Sequence, residues 1–344
     1  MLKTLKYLNY IPKVKTKKSI SLHAHIIGNT IIGTNTIIED NVVLRGDGNQ
    51  IKIGKNSILE ERSTVHVTEN MGVNIKDECI IGKFCVVHAC EIGQKSIIGE
   101  NSVIMDGSKI GRNSVILPDT LVPPGKTFPD YSLIKGSPAK LVRKINEKDY
   151  SNLKKKIKDR RTFKSLNTFK KYFKNNRRKY LERFELKKKG QIFLADNIEL
   201  VGNVIMGAKS SIWFGTKILA FNKSIVNIGA GTNVQDNSLI TTNKNVEIGK
   251  RITIGHNVII LGPAKIEDDA VIGMGSILEP GCIIKKNAFV GANSHVKKNT
   301  EVSANTIFAG RPAKFFRNVK KSEKHYFKLG QKVYEKLTAQ YQKK

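Results

Sequence analysis

Residues 77–93 read DECIIGKFCVVHACEIG, and residues 250–266 read KRITIGHNVIILGPAKI. Both stretches are built on recurring Ile-Gly steps, so they are two copies of one pattern. His256 of the later copy stands where the earlier one has Lys83, and His88 of the earlier copy stands where the later one has Leu261. Each copy keeps a histidine that the other has lost.

The pattern extends outward in both directions. From Ile26 the chain repeats a unit of six: an aliphatic residue, then Gly, Glu or Asp, two polar residues, a small one and one more. It recurs as IKIGKNS, CIIGKFC, CEIGQKS, SIIGENS and SKIGRNS, and later as VNIGAGT, VEIGKRI, ITIGHNV, AKIEDDA and AVIGMGS. Short periods of this kind mark solenoids. Each hexad supplies one short strand and a turn. The aliphatic side chain points inward, and the Gly or Asn that follows lets the chain turn. Three hexads close a triangular coil of about 18 residues, and stacked coils bury ladders of Ile and Val. Each such side chain contributes roughly 1.5–3 kcal/mol.

Both runs end alike, with GSPAKLVRKI at 136–145 and GRPAKFFRNV at 310–319, and a basic helical segment follows each. In the first segment Leu153, Ile157, Phe163, Leu166, Phe169, Phe173, Tyr180 and Phe184 recur at three- and four-residue steps, as on an amphipathic helix. The expected organisation is a duplication: a basic N-terminal segment (1–22), a first solenoid (23–145), a basic helical linker (146–189), a second solenoid (190–319) and a C-terminal helix (320–344).

Composition bounds the partners. The 344 residues carry a net charge of +31, concentrated in the linker segment. That charge suits nucleic acid, an anionic membrane surface or acidic neighbours in a large assembly. Nucleic-acid binding rests on charge alone and is not expected. The four cysteines form no CxxC pair, so they read as free thiols in a reducing compartment. No run reaches the ~20 apolar residues that span a bilayer. The first residues, MLKTLKYLNYIPKVKTKK, are basic and precede any acid, which resembles a mitochondrial targeting segment although arginine is absent.

Further motifs carry a family resemblance. The first solenoid holds LRGDGNQIKIG (44–54) and SILEERSTVH (57–66); the second holds SSIWFG (210–215) and TNVQDNSLIT (232–241). With the histidine stretches and the GxPAK endings, these resemble the γ-class carbonic anhydrases over nearly all of both solenoids, but not over the basic segments. The resemblance implies left-handed parallel β-helices assembled as trimers. It also implies zinc held between adjacent subunits by three histidines, two from one subunit and one from its neighbour.

Transferred residue by residue, the resemblance makes His66 and His88 the pair from one side and His256 the third ligand from the other. Lys83, Thr241 and Leu261 occupy the remaining ligand positions, so neither solenoid alone completes a site. Arg45 and Asp47 match the family's RGD, which the second solenoid replaces with Leu-Ala-Phe at 219–221. Gln235 and Asp236 match its QD, where the first solenoid has Glu60 and Glu61. The implied chemistry is CO2 hydration at zinc, with Gln235 orienting the attacking hydroxide. Arg45, Asp47 and Asp236 would tie the edges together and fix ligand geometry.

A prism trimer needs three solenoids and this chain brings two. The expected partner is therefore a third γ-carbonic-anhydrase-like subunit. The resemblance further implies a structural subunit on the matrix side of mitochondrial respiratory complex I, touching other complex I subunits and anionic inner-membrane lipid. An active zinc carbonic anhydrase outside any respiratory complex is the alternative. A hexapeptide acyltransferase, which lacks the paired RGD and QD motifs, is disfavoured.

Overall fold

The computed structural model describes residues 4–15, 19–158 and 185–343. One hexad shows how the sequence builds the coil. In Ile97-Ile98-Gly99-Glu100-Asn101-Ser102, Ile98 points into the core with no exposure. Asn101 takes φ 55° at the corner, a left-handed conformation that Asn tolerates better than most residues. Ser102 turns inward and donates its hydroxyl to Leu117 O at 3.2 Å. The small last residue of this hexad thus satisfies a backbone carbonyl at the corner of the next coil. Ser96 does the same to Gly111 O at 2.7 Å.

Repetition gives two three-faced β-solenoids with parallel strands throughout, closed at the end of each by one antiparallel strand, Ala139–Lys144 and Ala313–Asn318. Each has its own aliphatic core: Ile32, Leu44, Val65, Val87, Ile104 and Val122 contribute to the first, and Ile212, Val234, Ile254, Ile272 and Val290 to the second.

The solenoids lie side by side and run the same way. Corner residues interlock from coil to coil. Asn237 Nδ2 donates to Asn41 O (3.0 Å) and to Thr64 Oγ1 (3.0 Å). One coil further on, Asn257 Nδ2 donates to Arg62 O (2.9 Å) and Phe84 O (3.2 Å). Lower still, Arg311 pairs with Asp119 at 3.3 Å. The left-handed asparagines required by the turn therefore also join the two domains.

Two segments depart from the expected boundaries, the N-terminal one and the end of the linker. The N-terminal segment is not a free arm where it is described: Thr4–Leu5 and Lys13–Val14 pair with the strand His25–Ile32, and Tyr7 is buried. The linker begins as the helix Glu147–Lys158, whose Tyr150, Leu153 and Ile157 cover Ile80, Ile97, Val115 and Leu133 on one face of the first solenoid. Its expected continuation through Phe163, Leu166, Phe169, Phe173 and Tyr180 to Phe184 lies outside the described residues. Glu185–Lys189, placed in the helical linker by its charge, is instead a strand paired with Asn203–Gly207. Backbone pairing to an existing sheet outweighs the helix-favouring composition of ELKKK. No helix among the described residues is long and apolar enough to cross a membrane.

Candidate metal centre

The strand Val43–Ile53 carries Arg45, Thr64–His66 carries His66 and Val86–His88 carries His88. They stack in register, Arg45 on His66 on His88. The facing wall is the second solenoid, where Gln235 and His256 each follow a strand, Asn233–Val234 and Thr253–Ile254. Gly255 is needed just before His256 because a Cβ there would sit 2.7 Å from the backbone nitrogen of Met274.

The three histidines converge across this cleft. His66 Nδ1 lies 3.1 Å from His88 Nε2 and 3.2 Å from His256 Nε2. All three rings are buried, and among the described residues they form the one group of histidine, cysteine or acidic side chains with metal-ligand spacing.

Each outer ring nitrogen meets a carboxylate. His66 Nε2 is 3.1 Å from Asp47 Oδ1, and His88 Nδ1 is 2.6 Å from Asp106 Oδ1. His256 Nδ1 is 3.0 Å from Asp236 Oδ2, a close contact with oblique hydrogen-bond geometry. Carboxylates so placed favour a proton on each outer nitrogen and turn the inner lone pairs toward one another.

Arg45 anchors the arrangement from within. Nη1 donates to Asp47 Oδ2 at 3.0 Å, and Nε lies 3.1 Å from Asp236 Oδ2. Its guanidinium also stacks 4.5 Å from the ring centre of Trp213. Burial works against its charge, but Asp236 and Asp47 outweigh that and hold it ionised. Burial likewise opposes ionisation of Asp236; Arg45 and His256 prevail, and its carboxyl stays below the usual range. Burial pushes His66 well down and His256 down to about 4, in both cases with Arg45 contributing, so both are neutral bases at physiological pH.

The C-terminal helix, Lys324–Gln342, closes the cleft from the side. Its buried tyrosines reach the site: Arg45 Nη2 donates to Tyr334 Oη at 2.6 Å, and Tyr341 Oη donates to Asp47 Oδ2 at 3.0 Å. Tyr334 Oη is also 3.4 Å from His256 Nε2. Sequence reading did not find Tyr334, Tyr341, Trp213 or Asp106. Only Asp106 left a signal, because it lies one coil beyond His88 in a repeat of fixed length.

All seven residues singled out in the sequence, Arg45, Asp47, His66, His88, Gln235, Asp236 and His256, meet in this one cleft. Lys83, Thr241 and Leu261 do not. Lys83 Nζ pairs with Glu61 at 3.1 Å on another edge, and Leu261 packs with Leu219, Phe221, Leu239 and Ile259. Gln235 donates its amide to Asn233 Oδ1 (3.1 Å), while its Oε1 is buried with no hydrogen-bond partner.

The donor set fits a divalent metal. A tetrahedral zinc with bonds of about 2.0–2.1 Å sets its ligand nitrogens about 3.3 Å apart, close to the two contacts that His66 makes, and all three donor nitrogens lie within 4.8 Å of one another. Gln235 and Tyr334 line the same cleft as the three imidazoles, and beside a metal held there they would offer an acceptor and a hydroxyl.

Comparison with known proteins agrees with the fold. Residues 263–298 match the model for bacterial transferase hexapeptide (six repeats), and 245–280 match that for the hexapeptide repeat of succinyl-transferase. The carnitine operon protein CaiE of Proteus sp. is 34% identical over 139 residues, 40% of this chain and 71% of that protein. Gamma carbonic anhydrase 2, mitochondrial, of Arabidopsis thaliana is 37% identical over 144 residues, 40% of this chain and 52% of that protein. The chain thus spans about half the length of the Arabidopsis relative. An acetyltransferase-like protein of Desulfovibrio desulfuricans G20 superposes with a TM-score of 0.61 at 14% identity, over 98% of this chain and 82% of its own, and shares the fold. The chain belongs to the family of hexapeptide-repeat proteins that includes the carnitine operon protein CaiE.

Proposed function

We propose that this chain is a γ-carbonic-anhydrase-like protein that binds one zinc ion between its own two solenoids, through His66, His88 and His256. The observation that carries the reading is the pairing of three converging buried imidazoles with three separate carboxylates. Zinc bound there would supply a Lewis acid able to acidify water near neutral pH. The chain's own residues do the rest. Asp47, Asp106 and Asp236 hold the imidazoles in one tautomer. Arg45 pairs with two of those carboxylates, Asp47 and Asp236, and fixes their positions. Gln235 Oε1 offers an acceptor that fixes a donor in the cleft, and the surrounding apolar walls limit water.

We further propose that the chain serves mainly as a structural subunit of mitochondrial respiratory complex I, on the matrix side of the inner membrane. It would supply two of three solenoids of a heterotrimer whose third member is another γ-carbonic-anhydrase-like subunit. The mitochondrial Arabidopsis relative and the strongly basic composition support this. The basic linker would meet anionic inner-membrane lipid or acidic complex I subunits. The favourable ligand geometry supports the second reading, CO2 hydration by the same site outside a respiratory complex.

Metal analysis of the purified chain tests the site. One zinc per chain is expected in the wild type and none in His256→Ala; a wild type that retains no zinc from a zinc-containing medium refutes the composite site. Native-size separation of mitochondrial membranes tests the assembly: migration apart from complex I rejects the structural reading.

A further inference from the structure

The cleft is much larger than CO2 hydration requires. It encloses about 830 Å3, within the range of pockets that bury whole organic ligands. The imidazoles and Gln235 form only one part of it. Along the first solenoid the column under His88 continues with Met105 and Pro123, each the residue that follows one of the paired strands Val103–Ile104 and Leu121–Val122. Opposite lie Val271, Met274 and Ala292 of the second solenoid. Two coils at the spacing between neighbouring strands make this apolar run about 10 Å deep.

We propose that this run is a subsite for the aliphatic tail of a medium-chain monocarboxylate whose head lies at His66, His88 and His256. The inference rests on the metal reading. Without a cation the head would meet Asp47, Asp106 and Asp236 with only Arg45 to offset them. A divalent ion brings that local sum to neutrality, so one further anion is tolerated. The tail then meets Met105 and Pro123 on one side and Val271, Met274 and Ala292 on the other.

Calorimetric titration of the zinc-loaded chain with acetate, butanoate, hexanoate and octanoate tests the subsite. Burial of about 0.8 kcal/mol per methylene corresponds to about fourfold tighter binding per added carbon. That slope is expected from butanoate to octanoate; equal affinities across the series overturn the subsite. Met274→Lys places a charge in the tail path and should bring octanoate down to the affinity of acetate. An unchanged slope in that variant overturns the assigned path.

Ethanol through octan-1-ol, titrated into metal-free chain, reads the tail alone. If zinc fails to bind but the alkanol slope persists, the metal reading and the carboxylate head fall together and only the apolar tail path stands. If zinc binds and both series are flat, the subsite falls alone.

Discussion

His256 Nε2 stands 3.2 Å from His66 Nδ1, although 190 residues separate them in the chain. One belongs to each solenoid, so the contact exists only because the duplicated domains pack in register. Asn237 and Asn257 set that register at the corners, where both also engage the strand and turn that lead to His66. The first solenoid's own position for a His256 equivalent is Lys83, whose ammonium is held by Glu61. The second solenoid's own positions for the histidine pair are Thr241 and Leu261, and Leu261 is sunk in an aliphatic cluster. A charge pair at Lys83 and apolar packing at Leu261 occupy those positions.

Arg45 should be the most costly single side chain in the cleft to remove. It is fully buried between Asp47 and Asp236, beneath Trp213 and Tyr334. Taking away one member of a buried charge network leaves the others unpaired, at a cost of about 3–5 kcal/mol. Arg45→Met is expected to lose stability on that scale in urea unfolding. Arg45→Lys should fall between, since an ammonium cannot reproduce the planar fork. A loss in Arg45→Met below about 1 kcal/mol would mean that water compensates both carboxylates.

Acid should destabilise the metal-free protein through His256. Burial holds its folded pKa down at about 4, against an ordinary value of about 6.5. A depressed folded pKa means that the unfolded chain takes up the proton first as pH falls. The stabilising contribution is therefore complete above pH ~6.5 and is lost progressively toward pH ~4, by up to about 3 kcal/mol. His66 shifts in the same direction and adds to the effect. Urea unfolding of metal-free chain at a series of pH values measures it; stability unchanged across that window contradicts the neutral, buried state of both rings.

Much of this is legible in the sequence, for one physical reason. A hexad repeat has a fixed rise and a fixed number of residues per face, so spacing along the chain converts directly into position on the prism. That conversion would place Asp106 one coil beneath His88; Arg45, His66 and His88 stand 21 and 22 residues apart, so their single column facing Gln235 and His256 is legible only through the resemblance to the γ-class carbonic anhydrases. It fails where the repeat stops. Tyr334 and Tyr341 sit on a helix whose docking depends on tertiary contacts, and nothing in its local pattern says that its face meets Arg45. Tyr7 is hidden for the same reason: its segment reads as a basic arm, yet edge pairing to His25–Ile32 folds it down. The strand at Glu185–Lys189 escapes a reading by composition, which favours a helix, because a free sheet edge decides its conformation.

The single tryptophan offers a direct view of the helix that covers the site. Trp213 has no exposure and packs edge-on against Tyr334 and Tyr341, at 4.9 and 5.4 Å between ring centres. Leu337→Asp puts a charge into the same buried cluster. It should loosen the helix, shift Trp213 emission to longer wavelength and weaken zinc retention, with far-UV dichroism of the solenoids unchanged. Emission identical to the wild type would show that the cleft stays closed without this helix.

Restoring the lost histidine should not by itself create a second metal site. Lys83→His rebuilds the missing ligand on the first solenoid, but the residues that must face it belong to another solenoid edge. Within this chain the corresponding pair on the second solenoid is Thr241 and Leu261, which cannot supply two imidazoles. Zinc stoichiometry of the isolated variant is therefore expected to stay at one per chain. It should rise to two only when a third solenoid bearing its own histidine pair is added. A second zinc in the isolated variant would require the introduced imidazole to find ligands inside this chain, and would mean that the lysine edge does not await a partner.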